Sequence, residues 1–201
     1  MGNIYNEVLI NIELIIKDLI MINIDKLDKR KTYIVLEYGT SVISKLIQQL
    51  TKDYYPKAKK IPSHVLALVY EDKVWRIYES HMKAEDEFGI PSGVRTYRYE
   101  VFKEAFPKTD KYGVVYPCRF NKKRLKDLLG QPYGIGDIAA LLRVGITKKN
   151  GTQKDRKGYI CSEYLAVCCA KVRRYLKLKS HYITPIHWLK YLEENNIKPI
   201  L

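Results

Sequence analysis

The 201-residue sequence predicts an α+β fold in which an antiparallel β-sheet packs against helices. Two segments rich in β-branched and aromatic residues, His64–Tyr70 and Val74–Ser80, flank a short polar turn, as expected of a β-hairpin. Apolar residues recur at helical spacing in Asn6–Leu27 and in Cys161–Leu176. The composition, 46% apolar and 29% charged, is that of an ordinary globular protein.

The same patterns predict the remaining elements. Further strands are expected at Thr32–Glu37, Arg95–Val101 and Gly113–Arg119. Further helices are expected at Ser41–Thr51, Asn121–Leu129, Asp137–Val144 and Pro185–Asn195, and a polar loop at Lys148–Lys157. We divide the chain into an N-terminal helical extension, residues 1–30, and one domain, residues 31–201.

Charge and cysteine content limit the function classes. Thirty-six Lys and Arg against 22 Asp and Glu leave a net charge of +14, which favours anionic partners such as nucleic acid, acidic lipid or anionic polymers. The four cysteines form neither a CxxC motif nor zinc-finger spacing, so reduced thiols are expected. No apolar run reaches the length of about 18–20 residues that spans a bilayer. The segment Val8–Ile24 lacks the basic flank and cleavage site of a signal peptide.

The predicted hairpin brings a histidine and a carboxylate to one face. A turn centred between Glu71 and Asp72 would place His64 directly opposite Glu79, with Cβ atoms about 4.5–5.5 Å apart. A carboxylate beside an imidazole selects one tautomer and raises its basicity. A three-residue turn would instead pair His64 with Ser80. A histidine at the core edge with a surface glutamate is the non-functional alternative.

A cysteine falls at a predicted junction between strand and helix. Residues Gly158–Ile160 approach in extended conformation, and Cys161 lies in the first turn of an apolar-periodic helix. Free backbone N–H groups and the helix dipole favour thiolate there, and the same N–H groups can bind an oxyanion. The other cysteines, Cys118, Cys168 and Cys169, are expected to be buried as small apolar residues. From the junction alone, a structural role for Cys161 is equally open.

In their order along the chain, these segments resemble the circularly permuted NlpC/P60 group of papain-like proteins, the YiiX/YebB-like branch, where histidine precedes cysteine. The resemblance covers roughly Lys31 to Leu178. It rests on PSHVLALV (Pro62–Val69), IYES (Ile77–Ser80), YICSEYLA (Tyr159–Ala166), YIVLEYGTSVISKL (Tyr33–Leu46) and GQPY (Gly130–Tyr133). It implies a papain-like, permuted fold.

The resemblance also implies an activity and its residues. Cys161 would be the nucleophile of a cysteine peptidase or amidase, His64 its general base and Glu79 the residue that orients the imidazole. Tyr133 and Ser162 would contact the substrate. Neither a metal nor an organic cofactor is required by this chemistry.

Two questions stay open at this point. His81 shares the strand parity of Glu79 and competes with it as the orienting residue. The clan includes enzymes that act on peptidoglycan peptides and others that act on lipid esters or transfer acyl groups, so the substrate is an amide or ester, with bacterial cell-wall peptide as the first expectation. A cytoplasmic or phage-virion location is expected, because no signal peptide is recognised.

Two rival functions are retained. One is a non-catalytic papain-fold protein, such as a structural or virion-associated phage component. The other is nucleic-acid binding by the basic and aromatic stretches Arg95–Tyr99 and Lys171–Lys179. Stacking on bases would require Tyr97 and Tyr99 to share one exposed face.

Overall fold

The structure, a computed structural model, describes residues 22–105, 112–134 and 158–200. At its centre is a five-stranded antiparallel sheet with strand order β4-β3-β2-β1-β5. The strands are β1 (Thr32–Tyr38), β2 (His64–Glu71), β3 (Val74–His81), β4 (Gly93–Arg98) and β5 (Tyr112–Pro117). The predicted antiparallel sheet of an α+β fold is therefore confirmed.

The described α-helices lie between the strands and after the last strand. They are α1 (Val42–Thr51), α2 (Tyr99–Ala105), α3 (Lys122–Asp127), α4 (Cys161–Cys168), α5 (Ala170–Leu176) and α6 (Pro185–Glu194). Short 3-10 turns lie at Ile24–Lys26, Lys52–Tyr54, Asp86–Phe88 and Ser180–Tyr182. Ser41 caps α1, because its hydroxyl accepts a hydrogen bond from the Ser44 N–H at 3.1 Å.

Two predicted elements differ from those observed. The helix predicted over Cys161–Leu176 is broken at Cys169, whose backbone is extended (φ −127°, ψ 93°). The Cys168 carbonyl accepts from the Asn121 N–H at 2.9 Å, a long-range bond that no local pattern encodes. The strand predicted over Arg95–Val101 ends at Arg98, where the chain continues as α2.

The N-terminal extension is described only from Ile22 onward. Most of the predicted helix Asn6–Leu27 lies outside the described residues, as do Asp137–Val144 and Lys148–Lys157. The described end of the extension contains a 3-10 turn, and Ile22 packs against the sheet. None of the helices in the described part of the chain combines the length and apolarity needed to cross a bilayer.

The two faces of the sheet contribute to different apolar cores. Val65 and Ala67 of β2 belong to a core shared with α4, α5 and α6. Leu66 and Leu68, which point the other way, belong to a second core covered by α2 and the N-terminal segment. Because α4 packs on β2 and β3, its first residue lies near the ends of those strands.

Candidate active site

The turn of the β2–β3 hairpin determines which residues face each other. It contains Asp72 and Lys73, both with positive φ (50° and 63°), as in the type I′ turn that matches strand twist. Glu71 therefore pairs with Val74, and Leu68 pairs with Ile77. The predicted register, centred between Glu71 and Asp72, was wrong by two residues. Because the shift is even, every side chain keeps its predicted face.

His64 still meets Glu79, but diagonally rather than directly across the strands. The Nε2 atom of His64 lies 2.7 Å from Oε2 of Glu79. Continued to the strand ends, the observed register places His81 opposite His64, and the two rings meet edge to face with centroids 5.4 Å apart. Nδ1 of His81 is 3.1 Å from the Lys83 N–H. Glu79 is thus the carboxylate that contacts the imidazole, and His81 packs beside it.

The other oxygen of Glu79 is bound by β4. Oε1 accepts from Nε (2.9 Å) and Nη2 (2.7 Å) of Arg95 and from the Tyr97 hydroxyl (2.7 Å). Nη1 of Arg95 donates to the carbonyls of Lys83 (2.7 Å) and Pro91 (3.0 Å). Both ends of this guanidinium are therefore anchored, and Arg95 is only 2% exposed. With the hydrogen bond from His64, the buried Glu79 carboxylate has four hydrogen bonds from three residues, which hold it in one orientation.

These contacts shift the ionisation of both partners. Burial alone would raise the pKa of Glu79, but the hydrogen bond from His64 and the charges of His64, His81 and Arg95 hold it well below its usual value. Burial alone would lower the pKa of His64. The negative charge of Cys161 and hydrogen bonds to Cys161 and Glu79 outweigh burial and raise that pKa to about 10. At neutral pH the imidazole is therefore cationic and lies against the anionic Glu79 carboxylate.

Cys161 is the first residue of α4, as predicted. The approach to the helix is fastened to β3 by the Ser80 hydroxyl, which donates to the Tyr159 carbonyl at 2.6 Å. Gly158, with φ +116°, passes so close to the Pro132 carbonyl that a Cβ atom would lie 2.4 Å from that oxygen. A larger residue at this position would displace the segment that delivers Cys161 to the histidine.

The thiol and the imidazole lie within hydrogen-bonding reach. Since Nε2 of His64 is bound to Glu79, the ring nitrogen that remains for Cys161 is Nδ1. The first bond within α4 runs from Tyr164 N–H to the Ile160 carbonyl, at 3.0 Å. The N–H groups of the three preceding residues therefore have no acceptor within the helix and point toward its N-terminal end. The thiol thus lies beside a cation and a set of backbone donors.

A groove beside Cys161 encloses about 40 Å³ and opens to solvent. It lies between α1 and the start of α4, and both predicted substrate contacts, Tyr133 and Ser162, line it. The Ser162 hydroxyl is buried and makes no hydrogen bond within the described part of the chain. Cys161 and both predicted contact residues thus line one groove, and His64 lies within reach of the Cys161 thiol.

Sequence reasoning missed three members of this site. Arg95 and Tyr97 bind Glu79, and Glu37, buried and paired with His64 across β1 and β2, adds to the negative charge around the imidazole. A signal was present for β4, because Arg95 and Tyr97 are two residues apart and therefore lie on the same face of the strand. Only the pairing of β3 with β4 shows that this face meets Glu79.

The stacking surface considered for nucleic acid is not formed by these residues. Tyr97 is 7% exposed and Tyr99 is 2% exposed. Tyr97 donates to Glu79, while Tyr99 donates to the Ile22 carbonyl at 2.7 Å. Neither ring is available to a base, so the condition that base stacking required of these two tyrosines is not met.

In residues 22–105, 112–134 and 158–200, no group of three His, Cys, Asp or Glu side chains is placed to hold a metal ion. Comparison of the chain with models of known protein families, and with curated proteins, finds no match.

Proposed function

We propose that the chain is a cysteine hydrolase of the papain-like, circularly permuted NlpC/P60 type, which cleaves an amide or ester. Cys161 is the nucleophile, His64 the general acid and base, and Glu79 the residue that orients the imidazole. The observation that carries the proposal is the arrangement of Cys161, His64 and Glu79 in one hydrogen-bonded series at the start of a helix.

The first half of the reaction forms an acyl-enzyme. The Cys161 thiolate attacks the substrate carbonyl carbon, and a new C–S bond forms while the carbonyl oxygen becomes an oxyanion. Backbone N–H groups at the start of α4 stabilise that charge. The His64 imidazolium then donates its proton to the leaving amine or alcohol as the C–N or C–O bond breaks.

The second half depends on a change in the pKa of His64. The charge of Cys161 is the strongest of the contributions that raise this pKa, and acylation removes that charge. The pKa of His64 therefore falls in the acyl-enzyme, so that neutral imidazole can take a proton from water. The resulting hydroxide attacks the thioester, the carboxylic acid leaves, and the thiolate–imidazolium pair is restored.

Buried charge supports a catalytic role over a purely structural one. Glu79 and Arg95 are both almost fully buried, and burying an ion pair is costly unless every lone pair and proton is satisfied. An apolar pair of similar size would stabilise the sheet at least as well. A buried Glu79–Arg95 ion pair in contact with His64 is expected if Glu79 positions the imidazole and keeps it protonated.

The test is the rate of iodoacetamide labelling at each cysteine, followed by mass spectrometry from about pH 5 to 9, around the ordinary thiol pKa of about 8.5. In the native protein, Cys161 should label rapidly below the ordinary thiol range, because its thiolate is paired with the imidazolium. In His64→Ala, labelling at low pH should be lost.

The same experiment contains its own control. Cys168 is buried in the same helix, and burial raises its pKa to about 12. Cys168 should label only after unfolding. If Cys161 in the native protein labels no faster than Cys168, or if His64→Ala leaves its pH profile unchanged, the hydrolase proposal is refuted.

A further inference from the structure

Helix α1 has its apolar side facing outward. The small polar residues Ser44 and Thr51 are its buried positions, whereas Val42, Ile43 and Leu46 are 84%, 46% and 43% exposed. A helix that only packs on a domain shows the opposite pattern, with aliphatic residues inside. Exposed aliphatic residues grouped on one helix indicate a surface that meets an apolar partner.

This apolar surface is continuous with the groove beside Cys161. Ile43, Leu46, Ile47 and Leu50 of α1 form one wall of the groove, and Cys161 lies on the other. An apolar group that contacts the exposed part of α1 can therefore extend along one aliphatic wall to the nucleophile.

The hydroxyl groups in the groove are mostly occupied by the protein itself. Ser63 accepts from the Gly39 N–H at 3.0 Å, Thr51 donates to the Ile47 carbonyl at 2.8 Å, and Thr184 is 2.9 Å from Nδ1 of His187. A peptide in this groove would bury backbone groups with few partners, at a cost for each one. A hydrocarbon chain carries no polar group of its own that would need a partner in the groove.

The chain around α1 carries positive charge. Residues 42–60 contain five lysines and one aspartate. Lys45 and Lys52 are exposed on and just after α1, and Lys57 and Lys59 are exposed in the following loop. Exposed lysines next to exposed aliphatic residues are the combination that binds an anionic lipid surface.

We propose that α1 lies on an anionic lipid surface and that the groove admits the acyl chain of a lipid-type amide or ester to Cys161. This inference rests on the proposed hydrolase function for its chemistry, and it selects lipid over the cell-wall peptide first expected from the sequence. The proposal rests on three features that lie side by side: an outward-facing aliphatic helix, an aliphatic groove and Cys161.

The binding test uses Cys161→Ala protein, so that no turnover occurs, and vesicles of phosphatidylcholine with about one third phosphatidylglycerol. Sedimentation should show retention that weakens as salt is added. The double variant Ile43→Asp, Leu46→Asp should bind about tenfold less or worse, because two apolar contacts are lost. The matched control is Ile200→Asp, since Ile200 is 41% exposed but lies beside β5, where its N–H donates to Val115.

The substrate test uses p-nitrophenyl esters from acetyl to octanoyl. Each added CH2 that enters the groove should raise kcat/KM about fourfold until the groove is filled. The Ile43→Asp, Leu46→Asp variant should flatten this series, so that the octanoyl ester is no longer preferred over the acetyl ester. Circular dichroism checks that the variants are folded, which is expected at exposed positions.

The outcomes separate the two proposals. Vesicle retention that depends on Ile43 and Leu46, with a rising ester series, supports the acyl-chain groove. Absent retention, equal retention in the aspartate variant, a flat ester series, or faster cleavage of short peptide amides would each overturn it. Failure of the Cys161 labelling test removes the hydrolase, but vesicle binding by Cys161→Ala protein still decides whether α1 docks on lipid.

Discussion

Cys161 and Cys169 occupy similar positions in the backbone, but their thiols contact different side chains. Both are buried, and each stands at the start of a helix, Cys161 at α4 and Cys169 immediately before α5. Both positions offer backbone N–H groups to a sulfur atom. The difference between them is what the folded chain places on the other side of that sulfur.

Cys169 faces a second thiol, with its Sγ atom 4.0 Å from that of Cys118. The hydrogen bond with Cys118 lowers the pKa of Cys169 to about 6 against the effect of burial, with help from the N–H groups of Val172 and Lys171 and the charge of Lys171. The same bond, together with burial, raises the pKa of Cys118 well above its usual value. The start of α5, together with the Cys118 thiol, can therefore stabilise a thiolate at Cys169.

Cys161 faces an imidazole that is held by a buried carboxylate, and it lines a groove. Within the described residues, the partner of the Cys169 thiol is the Cys118 thiol rather than an imidazole, and Cys169 does not line that groove. A helix terminus alone therefore stabilises sulfur as thiolate, whereas hydrolysis also needs a proton carrier and room for a carbonyl.

The largest effect is expected from removing each thiol in turn. Cys161→Ala should reduce ester hydrolysis by about four orders of magnitude or more, because the acyl-enzyme cannot form. Cys169→Ala should leave kcat/KM within about twofold and cost roughly 1 kcal/mol of stability through lost packing. Steady-state kinetics and urea unfolding measure the two effects. Equal losses of activity would remove the functional distinction between the two cysteines.

The next effect concerns the ion pair found only at the Cys161 end. Arg95→Met leaves Glu79 buried without its cation, so the free energy of unfolding should fall by about 3–5 kcal/mol. Arg98→Met, on the same strand but exposed, should change it by no more than about 0.5 kcal/mol. Urea denaturation measures both. Similar small effects would mean that Arg95 does not balance the charge of Glu79.

A smaller effect is expected when the charge of Glu79 is removed and its shape kept. In Glu79→Gln the imidazolium loses the carboxylate that contacts Nε2, so the pKa of His64 should fall. The alkaline limb of the kcat/KM profile should move to lower pH, and kcat should drop by about 10²-fold or more. A pH–rate profile that keeps its alkaline limb while kcat falls would assign Glu79 a merely structural role.

The smallest effect is on the pH dependence of stability. The pKa of His64 is raised from 6.5 to about 10, so its stabilising contribution is fully present below 6.5 and is lost as pH rises through about 10. The difference in unfolding free energy between the wild type and His64→Gln should therefore shrink across this range. A difference that stays constant, or grows with pH, would contradict the ion pair with Cys161.

The prediction of local features was largely accurate where a repeating pattern within one segment carried the information. Strand β2 and the start of α4 follow from such patterns, as does the shared face of His64 and Glu79, because side-chain direction alternates strictly along a strand. The exact partner across the hairpin was wrong, because it depends on left-handed backbone at Asp72 and Lys73. Side chains alternate between faces with a period of two residues, so a register error of two residues leaves His64 and Glu79 on the same face. The shared face could therefore be predicted although the register could not.

By itself, the sequence determined the residue types of the site, the face on which His64 and Glu79 lie, and the helix start that presents Cys161. Only the tertiary structure decided that Arg95 binds Glu79 and that α1 forms a groove with α4, more than a hundred residues later in the chain. Periodicity records whether a residue faces inward, but not which segment it will meet there. That choice depends on the pairing of distant strands and helices, whose energies are summed over the whole core.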